Sequence, residues 1–156
     1  MPEESEKERH DRELIELLNE LRVALPGVQV LFAFLLAVPF ARGWSRTTAF
    51  QRDVFFVAFV SAAVSSALLI APSSYHRLRF RAPDKGRLVL TANRLAIAGL
   101  GVLAVSIVAV VLLVADFVFG TVVADAATGS IAAVFLVLWY GLPLYGRLRD
   151  PSARRP

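Results

Sequence analysis

The sequence predicts an all-α integral membrane protein, built as a four-helix bundle of two transmembrane hairpins with an amphipathic cytoplasmic helix before the first. Hydrophobic residues make up 56% of the 156-residue chain, above the roughly 45–50% that is usual in soluble proteins. The charged residues fall in separate blocks, and the runs between them approach the length of about 20 residues that a helix needs to cross a bilayer. Together these observations predict four membrane-spanning helices in one domain.

The composition also excludes several classes of site. The chain has no cysteine, so disulfides, thiolate catalysis and cysteine-ligated metal sites are ruled out. The net charge of +4 fits basic loops beside membrane helices better than a nucleic-acid surface, because no aromatic residues interleave with the bases as a stacking platform requires. We therefore expect no nucleic-acid partner, no metal and no cofactor.

Residues 1–22 are predicted to form the amphipathic cytoplasmic helix. Eight acids and four bases precede the first apolar run, which argues against a signal peptide, and Ser5 with Glu8 has the spacing of a capping box. One face carries an apolar stripe that suits either the membrane surface or a partner helix, or else the protein's own helices. The stripe consists of Leu14, Leu17, Leu18, Leu21 and Leu25.

The transmembrane domain is predicted over 23–146, beginning with a first span at about 23–41. Pro26 and Gly27 predict a kink or break near its start, since proline removes a helix hydrogen bond. Gln29 is the strongly polar side chain of this span. A cross-helix hydrogen bond accounts for it better than a ligand does.

The other spans are predicted at about 54–72, 95–115 and 126–146. The second ends at Pro72 and carries small residues at four-residue spacing, which lets helices approach closely. The third contains the pattern G-x-G-x-x-A from Gly99, but no strand precedes it, so a dinucleotide site is not favoured. The basic tail, 147–156, is predicted to be disordered.

The loop from Ser73 to Arg94 is predicted to join the two hairpins on the cytoplasmic side. Six of the seventeen Lys and Arg lie in it, and placing both termini on that side as well collects fourteen of them. The positive-inside rule therefore predicts a cell-membrane protein, typical of a bacterial inner membrane, with both termini cytoplasmic. The three exceptions at the outer ends of helices are explained by snorkelling to the headgroups; they are Arg42, Arg46 and Arg52.

The densest polar cluster is predicted where the second and third spans meet this loop. An arginine fork there suits a phosphate, and His76 suits a pH switch. The simpler interpretation is that these residues anchor anionic lipid headgroups and cap helices. The candidate residues are Glu20, Arg22, Gln29, Tyr75, His76, Arg77, Asn93 and Arg94.

No catalytic motif is present, so the sequence favours a non-enzymatic membrane interaction or accessory protein, with a homo-oligomer or another membrane protein as partner. The alternative is an oligomeric ion- or proton-coupled transport component, with its polar site at the cytoplasmic mouth. A lipid-acting enzyme is a third and more remote interpretation. A polar cavity at the cluster would favour transport or catalysis, whereas a solid apolar core would favour interaction.

Three blocks of the sequence carry a family resemblance. They are N-E-L-R-V-A-L-P-G-V-Q-V-L-F-A-F-L from Asn19, P-S-S-Y-H-R-L-R-F-R-A-P-D-K from Pro72 and T-A-N-R-L-A from Thr91. With these blocks, residues 10–150 resemble an uncharacterised family of small bacterial four-helix membrane proteins, domain of unknown function 6328. The resemblance implies four membrane helices and no established activity, and it transfers no catalytic residue.

Overall fold

The structure is a computed structural model that describes residues 6–78, 85–142 and 145. Four long helices follow one another along the chain: α1 (Glu6–Ala37), α2 (Ala49–Leu78), α3 (Lys85–Phe119) and α4 (Thr121–Leu136). Each overlaps a stretch that is long and apolar enough to cross a membrane, and the described residues include no strand. The all-α four-helix fold predicted from the sequence is confirmed.

The predicted cytoplasmic helix and first span form one continuous helix, α1. Its 32 residues extend over about 48 Å at 1.5 Å per residue, so it is longer than a hydrocarbon core of about 30 Å. The helix continues through Pro26 and Gly27 without ending. Three long, similarly sized helices, α1 to α3, therefore extend beyond the apolar region at the end that carries the N-terminus of α1.

The described leucines of the apolar stripe pack inside the protein. Leu21 is 3% exposed and lies in a core cluster with Leu69 of α2 and Ala96 of α3. Leu17 and Leu18 pack against Ala92 near the start of α3. Of the two interpretations left open by the sequence, the one in which the stripe packs on the protein's own helices is confirmed for these residues.

Helices α1, α2 and α3 share a seven-residue repeat of buried positions. This repeat keeps one seam of each helix facing its neighbours, as in left-handed coiled coils. The seams of α2 and α3 consist mainly of small residues, which allow the two backbones to approach closely. The repeating positions are Leu21, Val28 and Leu35 in α1, Gln51, Ala58, Ser65 and Pro72 in α2, and Ala92, Gly99, Ser106 and Leu113 in α3.

Helix α4 lies at the edge of this arrangement. It packs against α3, and within the described residues it contacts neither α1 nor α2. Gly120 alone links α3 to α4, with φ of 84°, a conformation that side chains other than glycine rarely adopt. Ala124 is the buried residue of α4, and the hydroxyl oxygen of Thr128 is buried without a hydrogen-bond partner in the described part of the chain. The packing of α4 against α3 is thus less extensive than the packing between α2 and α3.

The connections differ from those expected. Helix α2 continues through Pro72 to Leu78, and α3 begins at Lys85, so most of the predicted basic loop is helical. At the opposite end, short 3-10 helices at Val38–Phe40 and Trp44–Arg46 join α1 to α2. After α4 the chain continues in a π-helical turn, Val137–Gly141.

Candidate functional site

The predicted polar cluster is distributed over three helices. Glu20, Arg22 and Gln29 lie on α1, and all three are exposed. Gln29 makes no hydrogen bond to the described residues, so the cross-helix bond considered for it is not formed there. The disordered tail predicted at 147–156 lies outside the described residues.

The α2–α3 register determines how the rest of the cluster is arranged. The Ser65 hydroxyl donates to the Gly99 carbonyl at 2.8 Å, and the Ser106 hydroxyl donates to the Ala58 carbonyl at 2.8 Å. Extending this antiparallel register places exposed Asn93 and Arg94 at the level of 70–71 in α2. Residues 75–77 lie about five residues further along, or about 8 Å at 1.5 Å per residue.

The side chains of Tyr75, His76 and Arg77 lie outside the described residues, although their backbone belongs to α2. Their convergence with Asn93, Arg94 and the two charged residues of α1 therefore stays a prediction. The axial offset means that long side chains are needed to bring the two groups together. The candidate cluster remains a hypothesis about the end of the bundle where α2 and α3 are joined.

A second polar group lies at the opposite end, and the sequence interpretation missed it. The Gln51 backbone N–H donates to the Thr48 hydroxyl at 3.2 Å, and the Thr48 N–H donates to the Gln51 side-chain carbonyl at 3.1 Å. This reciprocal pair is a capping box at the start of α2. Its signal in the sequence is the T-x-x-Q spacing of residues 48–51.

Gln51 also ties α2 to the end of α3. Its side-chain nitrogen donates to a carboxylate oxygen of Asp116 at 2.8 Å, and the residue is only 7% exposed. The Gln51 side chain thus accepts from one free backbone N–H at the start of its own helix and donates to a carboxylate on another helix. The hydrogen bond between Gln51 and Asp116 joins residues 65 positions apart, so local sequence patterns give no sign of it.

An aromatic row runs from the same end into the bundle. The rings of Trp44 and Phe55 meet edge to face with centroids 5.0 Å apart, and Phe55 stacks on Phe59 at 6.0 Å. Phe59 in turn stacks on Phe32 of α1 at 5.1 Å. These contacts fix Trp44 to the helices.

An apolar pocket opens beside Trp44. It has a volume of about 160 Å³ and lies between the connection of α1 to α2 and the last turns of α3. Ala41 and Thr47 line it on one side, and Leu113 and Phe117 line it on the other. The Arg46 guanidinium carbon lies 6.0 Å from the centre of the Phe117 ring, which places a cation at its edge.

The described residues offer this pocket and a packed interior. No group of three or more His, Asp or Glu capable of holding a metal occurs among them. The buried polar residues are Gln51, Ser65 and Ser106, and each makes a hydrogen bond inside the protein. Such an arrangement suits the binding of apolar or amphiphilic molecules at the bundle end, with a tightly packed support below it.

Comparisons with known proteins give one match. The model of the Family of unknown function (DUF6328) matches residues 3–143, nearly the whole chain. No curated protein and no solved structure matches the sequence significantly.

Proposed function

Because the chain belongs to the Family of unknown function (DUF6328), whose name assigns no activity, we propose its function from the packing of its helices. The protein is a small multi-pass membrane protein that acts without catalysis, as an interaction or accessory protein. It resides in the cell membrane with both termini in the cytoplasm, as the distribution of Lys and Arg predicts.

The proposal rests on the buried polar residues of α2 and α3, which are already hydrogen-bonded within the protein. Transporters and membrane enzymes keep ionisable or polar groups inside the bundle for their substrates. In the described part of this protein, the interior of α1 to α3 consists of apolar and small residues and one larger polar residue, Gln51, whose side chain is bonded to Thr48 and Asp116. The hydroxyls of Ser65 and Ser106 are already bonded to backbone carbonyls. The described interior is therefore suited to holding helices together.

The position of α4 supports the same function. Among the described helices α1 to α3 this helix contacts α3 alone, and its face opposite α3 is exposed at Ala126 and Ala133. In the membrane that face meets lipid or another membrane protein. An accessory protein needs such a face, and α1 to α3 supply the support that holds it in place.

Site-specific photo-crosslinking in living cells tests the proposal. A benzophenone amino acid at Ala133 should give a discrete protein adduct, identified by mass spectrometry. The same group at Phe56, which is 64% exposed on α2, should give mainly lipid adducts. Ala126→Phe should remove the Ala133 adduct by filling the same face, whereas Phe56→Ala should preserve it. Lipid adducts alone at both positions would contradict the proposal.

The transport alternative depends on His76 and Arg77, and it stays a prediction. Purified protein in liposomes should show no ion or proton flux if the interaction proposal is right. Flux that is present in the wild type and lost in His76→Gln would overturn it and favour the transport component. Arg12→Gln serves as a charge control, because it removes an exposed charge at the same end of the protein, on a different helix and outside the candidate cluster.

A further inference from the structure

The apolar pocket beside Trp44 has the location of a lipid site. It lies where α1 ends and α2 begins, against the last turns of α3, so it is at a boundary between the apolar spans and the surface. Its lining is almost entirely apolar. A polar solute gains nothing from such a lining, whereas a hydrocarbon segment packs against it.

The pocket's size limits what it accepts. A cavity of about 150 Å³ holds a benzene-sized molecule, and this one measures about 160 Å³. It is therefore too small for a complete lipid or a drug-sized ligand, which need at least about 300 Å³. A short segment of an acyl chain fits, with the remainder of the molecule lying outside on the protein surface.

Two arginines stand at the edge of the pocket. Arg42 lies between Ala41 and Gly43, both of which line it, and Arg46 lies over the ring of Phe117. Both arginines are exposed, and neither guanidinium group forms an ion pair or a hydrogen bond with the described residues. Guanidinium groups bind phosphate oxygens in pairs through a planar fork.

The third arginine at this end is already engaged. Arg52 donates to the Thr47 hydroxyl at 3.1 Å and to the Thr47 carbonyl at 3.2 Å. Asp53, Asp116 and Asp125 balance the three arginines in number. This end of the bundle therefore has little net charge with which to attract anions. Any preference for an anionic lipid there must come from the local arrangement at the pocket.

We propose that this pocket, with Arg42 and Arg46, binds an anionic phospholipid: the arginines hold the phosphate and the pocket holds the adjoining segment of an acyl chain. The proposal goes beyond the function proposed above and concerns the end of the bundle opposite the predicted basic cluster. It also gives a role to arginines that the positive-inside rule leaves as exceptions.

Quenching of Trp44 fluorescence measures occupancy of the pocket directly, because Trp44 lines it. For this measurement Trp139 is replaced in all variants (Trp139→Phe), so that Trp44 is the single tryptophan. It is placed in phosphatidylcholine bilayers with a small fraction of dibrominated phosphatidylglycerol or, in parallel, of dibrominated phosphatidylcholine. The phosphatidylglycerol should quench Trp44 with a relative association constant about tenfold higher, because phosphatidylcholine has the same phosphate but also a choline cation that repels the arginines, whereas a net anionic headgroup gains about 1 kcal/mol for each Lys or Arg nearby.

Matched variants separate the site from general attraction. Arg46→Gln should lower the preference for phosphatidylglycerol at least about fivefold, corresponding to about 1 kcal/mol for one cation at the surface. Arg52→Gln removes the same charge at the same end but should change the preference less than about twofold, because its donors are used by Thr47. Ala41→Leu should fill the pocket and reduce quenching by both brominated lipids.

Thermal unfolding in detergent verifies that each variant is folded, and each of these surface changes should leave the midpoint unchanged. Equal quenching of the parent protein, which carries Trp139→Phe alone, by the two lipids overturns the proposal. Equal losses in Arg46→Gln and Arg52→Gln also overturn it, since they would show general electrostatic attraction. Unchanged quenching in folded Ala41→Leu shows that the acyl chain does not enter the pocket, and it overturns the proposal as well.

Discussion

Single small residues set the distance between α2 and α3. A β-carbon built at Gly99 would lie 2.8 Å from a methyl carbon of Leu69 and 3.2 Å from the β-carbon of Leu68. Leu69 is fully buried, so it cannot move aside without disturbing its own neighbours. A β-carbon at Gly101, two residues further, would have no neighbour within 4 Å. The two glycines of the apparent dinucleotide pattern thus have different surroundings.

Because Gly99 is closely packed and Gly101 is not, replacing each by alanine tests how tightly α2 and α3 pack at Gly99. Gly99→Ala should destabilise the protein by about 1–3 kcal/mol through overpacking, measured by unfolding in detergent. Gly101→Ala should be neutral or stabilising by up to about 1 kcal/mol, because alanine is the better helix former. Equal stability of the two variants would mean that α2 and α3 are not in close contact at Gly99.

At the scale of elements, the sequence was a better guide to the number of helices than to their ends. Charged and polar residues such as those at 85–94 predict a loop between two spans, because they cannot lie in hydrocarbon. A helix that leaves the membrane meets water, however, and there such residues favour helix as readily as loop. Pro72 predicts a helix end because proline removes a helix hydrogen bond, yet α2 continues past it.

The polar contacts were harder to predict than the helices. The small residues at four-residue spacing in the second span, such as Ser61 and Ser65, indicate close helix packing. They give no sign that the Ser65 hydroxyl bonds across to the Gly99 carbonyl. The link between Gln51 and Asp116 requires the α2–α3 register, which no local pattern carries. The candidate cluster was predicted from the density of polar residues where the second and third spans meet the loop, and it stays a prediction.

The interhelical serine bonds give a test at this scale. Ser65→Ala and Ser106→Ala should each cost about 0.6 kcal/mol, and at most about 1.7 kcal/mol, the range measured for such bonds in membrane helices. Ser66→Ala is the control, because the Ser66 hydroxyl bonds back to Ala62 in its own helix at 2.9 Å. Unfolding titrations in mixed detergent give the comparison, and a loss in Ser66→Ala as large as in the other two would contradict the assignment.

The whole molecule consists of three long helices with shared seams and a shorter helix at one edge. This division follows from residue size and spacing, because α1 to α3 carry the seven-residue repeat whereas α4 has one buried residue. The four-helix fold class was predictable from hydropathy alone. The peripheral position of α4 was not, since all four spans are similarly apolar.

Orientation in the membrane is tested by cysteine labelling. The natural chain has no cysteine, so single replacements report cleanly. Glu16→Cys should resist a membrane-impermeant thiol reagent in intact cells and react after lysis. Val122→Cys, which is 84% exposed at the start of α4, should react in intact cells. The reverse pattern would place both termini outside and contradict the charge-based orientation.

The seven-residue seam restricts how the chain can change length in evolution. Inserting one residue into the middle of α2 would rotate everything beyond it by about 100°, turning Ser65 or Ala58 away from α3. Inserting seven residues would rotate it by only about 20°. Related chains of different length should therefore vary at the helix ends and connections, or by whole seven-residue steps matched between α2 and α3.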